Sequence, residues 1–201
     1  VVEVNGDAAH VAFDATPAQP ELAIPIVGAN IVHATEPDSR FGDAPHFRQK
    51  TEIESRLDDI ARFREQAGLP VVKKDATTGT AAAVLLGGEV FHGTNSGLDP
   101  PSYSALLETR HALFARLVSA FGLKVTDNAF QNAQFLGHAE AEAMLLAYAH
   151  FGRLPEVLEI YADRTTCNDC STNLILLARM LGVRELRVYY RNQTDPPLIR
   201  R

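Results

Sequence analysis

Between Val157 and Tyr190 the chain reads strand, helix, strand, and its only two cysteines, Cys167 and Cys170, fall where the first strand hands over to the helix. Val157-Leu158-Glu159-Ile160-Tyr161 and Glu185 to Tyr190 are short β-rich runs. Cys170 to Leu181 carries apolar residues at helical spacing and meets its stop at Gly182. A crossover of this kind joins parallel strands, so the segment commits the chain to a sheet with a helix packed on its face.

The preceding sequence extends that sheet. Ala81 to Leu86, then Gly87-Gly88, then Glu89 to Asn95 predict a β-hairpin, because two glycines accept the positive φ of a two-residue primed turn. The first of these strands is apolar throughout, which predicts a central strand covered on both faces. Tyr103 to Phe121 and His138 to His150 predict helices, the latter rich in alanine and leucine and stopped by Gly152 and Pro155. Residues 124–137 between them read as a polar loop bearing Phe130 and Phe135. Phe47 to Ala67 predicts a structural helix, with Ile53, Leu57, Ile60 and Arg64 on one face and a capping-box pattern at Thr51 and Glu54. Asn192 to Arg201 reads as a polar tail. The expected fold class is α/β, a three-layer α/β/α sandwich around a mixed sheet.

Residues 1–45 differ from the rest. Pro17, Pro20, Pro25, Pro37 and Pro45 interrupt short apolar pieces such as Ile31-Val32, as in a linker or an arm lying on the main unit. Residues 46–201 form that unit, with a leading helix within 46–70 and a core over 81–190. The first residue is Val1 rather than methionine, as in an excised or processed chain.

Charge is unevenly spread. The net value of −6 comes from the acidic leader, where seven acids face Arg40 alone, and the remainder balances to zero. From Arg179 onward six arginines outnumber Glu185 and Asp195, so a polyanion could bind locally. No apolar run approaches the roughly 18 residues of a membrane span.

Two cysteines do not make a disulfide framework. With His138 they supply the three protein ligands of a catalytic zinc site, which leaves one position for water. A closed structural site needs a fourth ligand, for which His92, His111 and His150 are candidates, and a redox Cys-x-x-Cys pair is the further alternative. The helix-start position of Cys170, with Cys167 just before it, favours thiolates. Glu140 is the candidate proton carrier. Residues two apart on a helix point about 200° apart, so His138 and Glu140 share a metal only at the very first turn.

His138-Ala139-Glu140 followed by Cys167-Asn168-Asp169-Cys170 resembles the zinc signature of the cytidine deaminase superfamily, His-x-Glu and then Pro-Cys-x-x-Cys. The resemblance runs from about Ala81 to Tyr190. It implies one zinc held by His138, Cys167 and Cys170, water activated there for attack on cytosine C4, and Glu140 protonating N3 and then the leaving amine. Phe91-His92-Gly93-Thr94-Asn95 is similar to the Phe-x-Gly-x-Asn segment of free-nucleoside deaminases, which implies that Asn95 contacts the sugar and the Ala139 amide the pyrimidine carbonyl. Phe91 is carried along in that segment. Three departures stand out. Thr166 replaces the proline and lines the pocket, little chain follows Tyr190 for a fifth strand, and a long helix separates hairpin from His-x-Glu.

Together with the acidic leader, these departures resemble the toxin domains of bacterial secreted effectors. That implies a mutagenic toxin delivered into the cytoplasm of a target cell, acting on cytosine in single-stranded DNA, with a cognate immunity protein as partner. Phe130 and Phe135 are candidates to stack on bases, and Arg184, Arg187 and Arg191 to track the backbone along an exposed strand face. RNA, duplex DNA and free cytidine are alternative substrates. A zinc-stabilised binding module is the non-enzyme alternative.

Overall fold

The computed structural model describes residues 31–33, 50–72, 79–95, 98, 107–123, 134–191 and 198–200. In chain order they form β1 (Ile31–His33), α1 (Lys50–Gln66), β2 (Ala81–Leu86), β3 (Glu89–Thr94), α2 (Leu107–Phe121), a 3-10 turn (Gln134–Gly137), α3 (Ala139–Phe151), β4 (Val157–Ala162), α4 (Asn168–Met180), β5 (Glu185–Tyr190) and β6 (Leu198–Arg200). The strands make one six-stranded mixed sheet, ordered β1-β3-β2-β4-β5-β6.

The hairpin closes at Gly87 and Gly88, with φ of 61° and 80°, and pairs Leu86 with Glu89. Two successive positive φ values belong to a type I′ turn, whose twist suits the flanking strands. β4 and β5 are parallel through six registered pairs, as the intervening helix requires. β2 lies between β3 and β4 and runs antiparallel to both.

Strand alternation divides the apolar residues into two cores. Ala82, Val84, Leu86, Leu158, Ile160, Leu186 and Val188 face α2, α3 and α4 in the larger cluster. Ala81, Ala83, Tyr161 and Tyr189 face Ile53, Leu57 and Ile60 of α1 in the smaller one. The apolar first hairpin strand is therefore covered on both sides, as its composition predicts.

Three expectations change. The helix begins at Lys50, so Thr51 lies inside the first turn and does not cap it. Residues 31–33, expected within a linker, form a strand that pairs antiparallel with β3. Leu198–Arg200, expected in a polar tail with little room for another strand, pairs antiparallel with β5. Both are three-residue edge strands, too short to show a period.

Arg64, at the end of the apolar face of α1, is 3% exposed and ion-paired with Asp163 just beyond β4. It also donates to the carbonyls of Pro70 at 2.7 Å and Gly79 at 2.9 Å, while Asp163 Oδ1 accepts the amide of Ala81 at 3.1 Å. This pair pins the start of β2 to the exit of β4, where the chain turns towards the cysteines.

Candidate metal centre

His138 is the N-cap residue of α3, in extended conformation at φ −90° and ψ 155°. The 200° separation expected on an ideal helix does not apply, because His138 stands just outside the helix and Glu140 within its first turn. Cys167 caps α4 in the same way, at φ −70° and ψ 167°, and its sulfur accepts the amide of Cys170 at 3.4 Å. The strand β4 joins the two helices, so both N-termini meet at one end of the sheet.

His138 Nδ1 lies 3.1 Å from Cys170 Sγ and 3.3 Å from Cys167 Sγ. The three donor atoms fall within 4.8 Å of one another. An imidazole and two thiols are the donor set that tetrahedral zinc prefers, and slight parting of these atoms would admit zinc–sulfur bonds of about 2.3 Å. The cysteines are unbridged, Cys167 exposed and Cys170 buried, so the centre opens towards solvent on the Cys167 side. Glu140 is 3% exposed, with Oε2 3.9 Å from Cys170 Sγ.

Proton affinities are unequal. The hydrogen bond from the Cys170 thiol, seconded by His138 and the Cys170 amide against the opposing effect of burial, pushes Cys167 down to about 3. Cys170 moves far upward as the donor of that bond, and burial and the Glu140 charge add to it. Burial opposes a charge on His138, but the hydrogen bond and charge of Cys167 prevail and raise its pKa. Burial also raises Glu140, with its backbone hydrogen bond and His138 pulling the other way. Metal binding needs both thiols deprotonated, so a cation bound here would displace the remaining proton.

Asn95 stands at the edge of this centre. Its Oδ1 accepts from the Thr80 amide at 3.3 Å and from the Ala139 amide at 3.4 Å, so the two residues expected to share a ligand already face each other. Thr166 adjoins Cys167, and its hydroxyl oxygen is buried with no hydrogen-bond partner among the described residues.

Other expected contacts lie elsewhere. Phe91 is fully buried against His150 and Phe151, ring centroids 5.4 and 5.7 Å away, at the far end of α3 from His138. Phe135 is 3% exposed within the larger core and offers no face to a base, because the supposed polar loop is there a 3-10 turn packed inward. Phe130 lies outside the described residues.

Of the three arginines expected to track a backbone, Arg187 is corrected, while Arg184 and Arg191 are exposed. Arg187 is 3% exposed, held by Glu185 and Glu159 at 2.8 and 3.5 Å. Its strand face is the one that packs on α1, so the polar alternation signals a buried ion-pair cluster instead of a solvated edge. Arg191 pairs with Asp58 of α1 at 3.2 Å, and Arg184 forms an exposed pair with Glu156 at 3.6 Å.

None of the histidines weighed as a fourth ligand joins the group. His92 stacks on Phe63 at 4.1 Å on the α1 face, His150 pairs with Glu89 at 3.4 Å, and His111 is exposed on α2. Among the described residues the donor set is His138, Cys167 and Cys170. The sequence reading passed over Glu142 and Arg110, buried on α3 and α2, whose only signal was charge within otherwise apolar helix faces.

Comparison with family models, curated proteins and solved structures found no match to this chain. Fold and centre define an α/β protein with a candidate three-ligand metal site. No helix of the described residues is long and apolar enough to cross a membrane.

Metal content gives the direct check. The chain should purify with, or take up, about one zinc ion, as a His/Cys/Cys donor set predicts. Cys167→Ser and Cys170→Ser should each lower that stoichiometry when metal is measured by plasma emission spectroscopy. Zinc at 100 times its dissociation constant should add about 2.7 kcal/mol of stability. In calorimetry that is roughly 5–10 °C of melting temperature for a chain of this size. Equal metal content in wild type and both serine variants would remove the cysteines from the site.

Proposed function

We propose that this chain is a zinc-dependent deaminase that converts cytosine to uracil by hydrolysis. The observation that carries the reading is the convergence of His138 Nδ1, Cys167 Sγ and Cys170 Sγ within 4.8 Å, with the buried Glu140 carboxylate beside Cys170. His138, Cys167 and Cys170 would hold the zinc ion, which when bound would supply a water acidic enough to react near neutral pH. Glu140 would take one proton from the water that attacks C4 and deliver it to cytosine N3, then move the proton of the new C4 hydroxyl to the amine, which leaves as ammonia as the C4 carbonyl forms. In the metal-free chain burial raises the Glu140 pKa above the ordinary glutamate value. Asn95 and the Ala139 amide line the wall where the resemblance puts sugar and pyrimidine carbonyl. A zinc-stabilised binding module would have no use for a buried carboxylate next to an incomplete donor set.

The leading substrate is cytosine in single-stranded DNA, in the setting of a secreted bacterial toxin with an immunity partner. This part rests on the resemblance to effector toxins. Free cytidine is the second reading, favoured by the place of Asn95 beside the Ala139 amide. The test is incubation of the purified protein with single-stranded DNA, duplex DNA, RNA and cytidine, followed by uracil detection. Uracil in single-stranded DNA is the expected result. Conversion of cytidine alone would overturn the toxin reading, and no uracil in any substrate would overturn the deaminase.

A further inference from the structure

The first turn of α3 is gripped by a buried ion pair that contributes no metal donor. Glu142 on α3 and Arg110 on α2 are 3% and 1% exposed. Glu142 Oε2 accepts the Thr94 amide at 2.6 Å and the Thr94 hydroxyl at 3.3 Å, at the end of β3 next to Asn95. Its Oε1 lies 3.6 Å from Arg110 Nη2. Arg110 Nε donates to the carbonyl of Leu136 at 2.8 Å, in the 3-10 turn that leads into His138. The Glu142 amide in turn donates to the His138 carbonyl at 3.0 Å.

Removing two charges from water is costly, and an apolar pair would hold α2 on α3 at least as well. What the charged pair adds is direction, because its hydrogen bonds fix angles that apolar contacts leave free. Its bonds end on the residues that flank the centre. They reach Leu136 before His138 and Thr94 before Asn95, while the backbone amide of Glu142 makes the ordinary helical bond to the His138 carbonyl.

We propose that Arg110 and Glu142 are positioning residues, which hold His138, Glu140 and Asn95 on one frame facing the cysteine pair. As a statement about catalysis this rests on the deaminase reading; as a statement about geometry it does not. The test uses Arg110→Met, Glu142→Gln and the double variant in the full chain. Glutamine keeps an oxygen for the Thr94 amide, and methionine fills the arginine stem. Each single change strands a buried polar or charged partner and should lower the melting temperature, whereas the double variant should recover most of it.

Positioning predicts that the recovered double variant still shows displaced His138 and Ala139 amide resonances. The cross-peak between the His138 ring and the Cys170 β-protons should be weaker in the metal-free chain. Zinc affinity should fall roughly 10- to 100-fold, the effect typical of groups that orient metal ligands. Arg110→Lys, which keeps the charge but loses the Nε donor to Leu136, serves if the double variant does not fold, with the same expected displacement. Unchanged resonances and zinc affinity in whichever variant folds would overturn the proposal and leave the pair a strut. Absence of deamination by the wild type would sink the functional reading alone, because the resonances are read without metal or substrate.

Discussion

Glu140→Ala should abolish deamination while zinc content stays at about one ion per chain, as expected for a three-donor site that does not include the carboxylate. Glu140 is no donor in the converging group, but it is buried beside it with Oε2 3.9 Å from Cys170 Sγ. A positioned acid–base group contributes about 10²- to 10⁴-fold, and in the proposed mechanism the same group would handle both proton transfers, so the loss belongs at the upper end. Glu140→Gln should be as inactive, since an amide cannot shuttle the proton. It should also be the more informative variant, because its shape is retained.

Stability supplies an independent check. Burial holds the Glu140 carboxyl above the usual carboxylate range, so the metal-free folded chain binds its proton more tightly than the unfolded chain does. Stability contributed this way falls as pH rises from the ordinary glutamate value through the folded one. Glu140→Gln should lack that decline when metal-free melting is followed against pH. Retained deamination in either variant would remove Glu140 from the mechanism.

Gly93→Ala should cost the fold itself. A methyl group at Gly93 would lie 2.2 Å from the carbonyl oxygen of Ala139 and 2.4 Å from the amide of Ala143, both backbone atoms of α3. No side-chain rotation relieves such a clash, so β3 and α3 must move apart, and Thr94, Asn95 and the Ala139 amide move with them. Overpacking of a core costs typically 1–3 kcal/mol, and contact with rigid backbone on two sides places this change at about 3 kcal/mol or more. In a chain of this size that is roughly 6–12 °C of melting temperature. A variant that melts like wild type would show that β3 and α3 are not packed so closely.

Gly93 shows what was legible in the sequence and what was not. Its place in Phe-x-Gly-x-Asn could be read, but the reason for a glycine there needed α3 in contact with the strand. Local pattern located the hairpin, the βαβ unit and the helix start at His138, and placed the next start at Cys170, where the helix in fact begins at Asn168 behind its cap Cys167, because period and stop residues act within a few positions. The same reasoning failed where a distant element decides burial. Arg187 and Tyr189 alternate like a solvated strand face until α1 covers them. Arg64 and Asp163 are 99 residues apart in sequence, and nothing local pairs them. Phe135 reads as a loop aromatic because neither its turn nor the core beneath leaves a periodic trace.

The two helices that meet at the metal centre differ in how deeply they are set. In α3 every residue from Ala139 to Tyr148 is buried, whereas α4 begins with exposed Asn168 and Asp169 after exposed Thr165 and Cys167. Segments open locally according to how little they bury, so the stretch carrying Cys167 should open at lower free energy than the stretch carrying His138. An ion held here would keep its grip on His138 and buried Cys170 while Cys167 let go. Exchange would then start at one exposed ligand, with the globular core still folded.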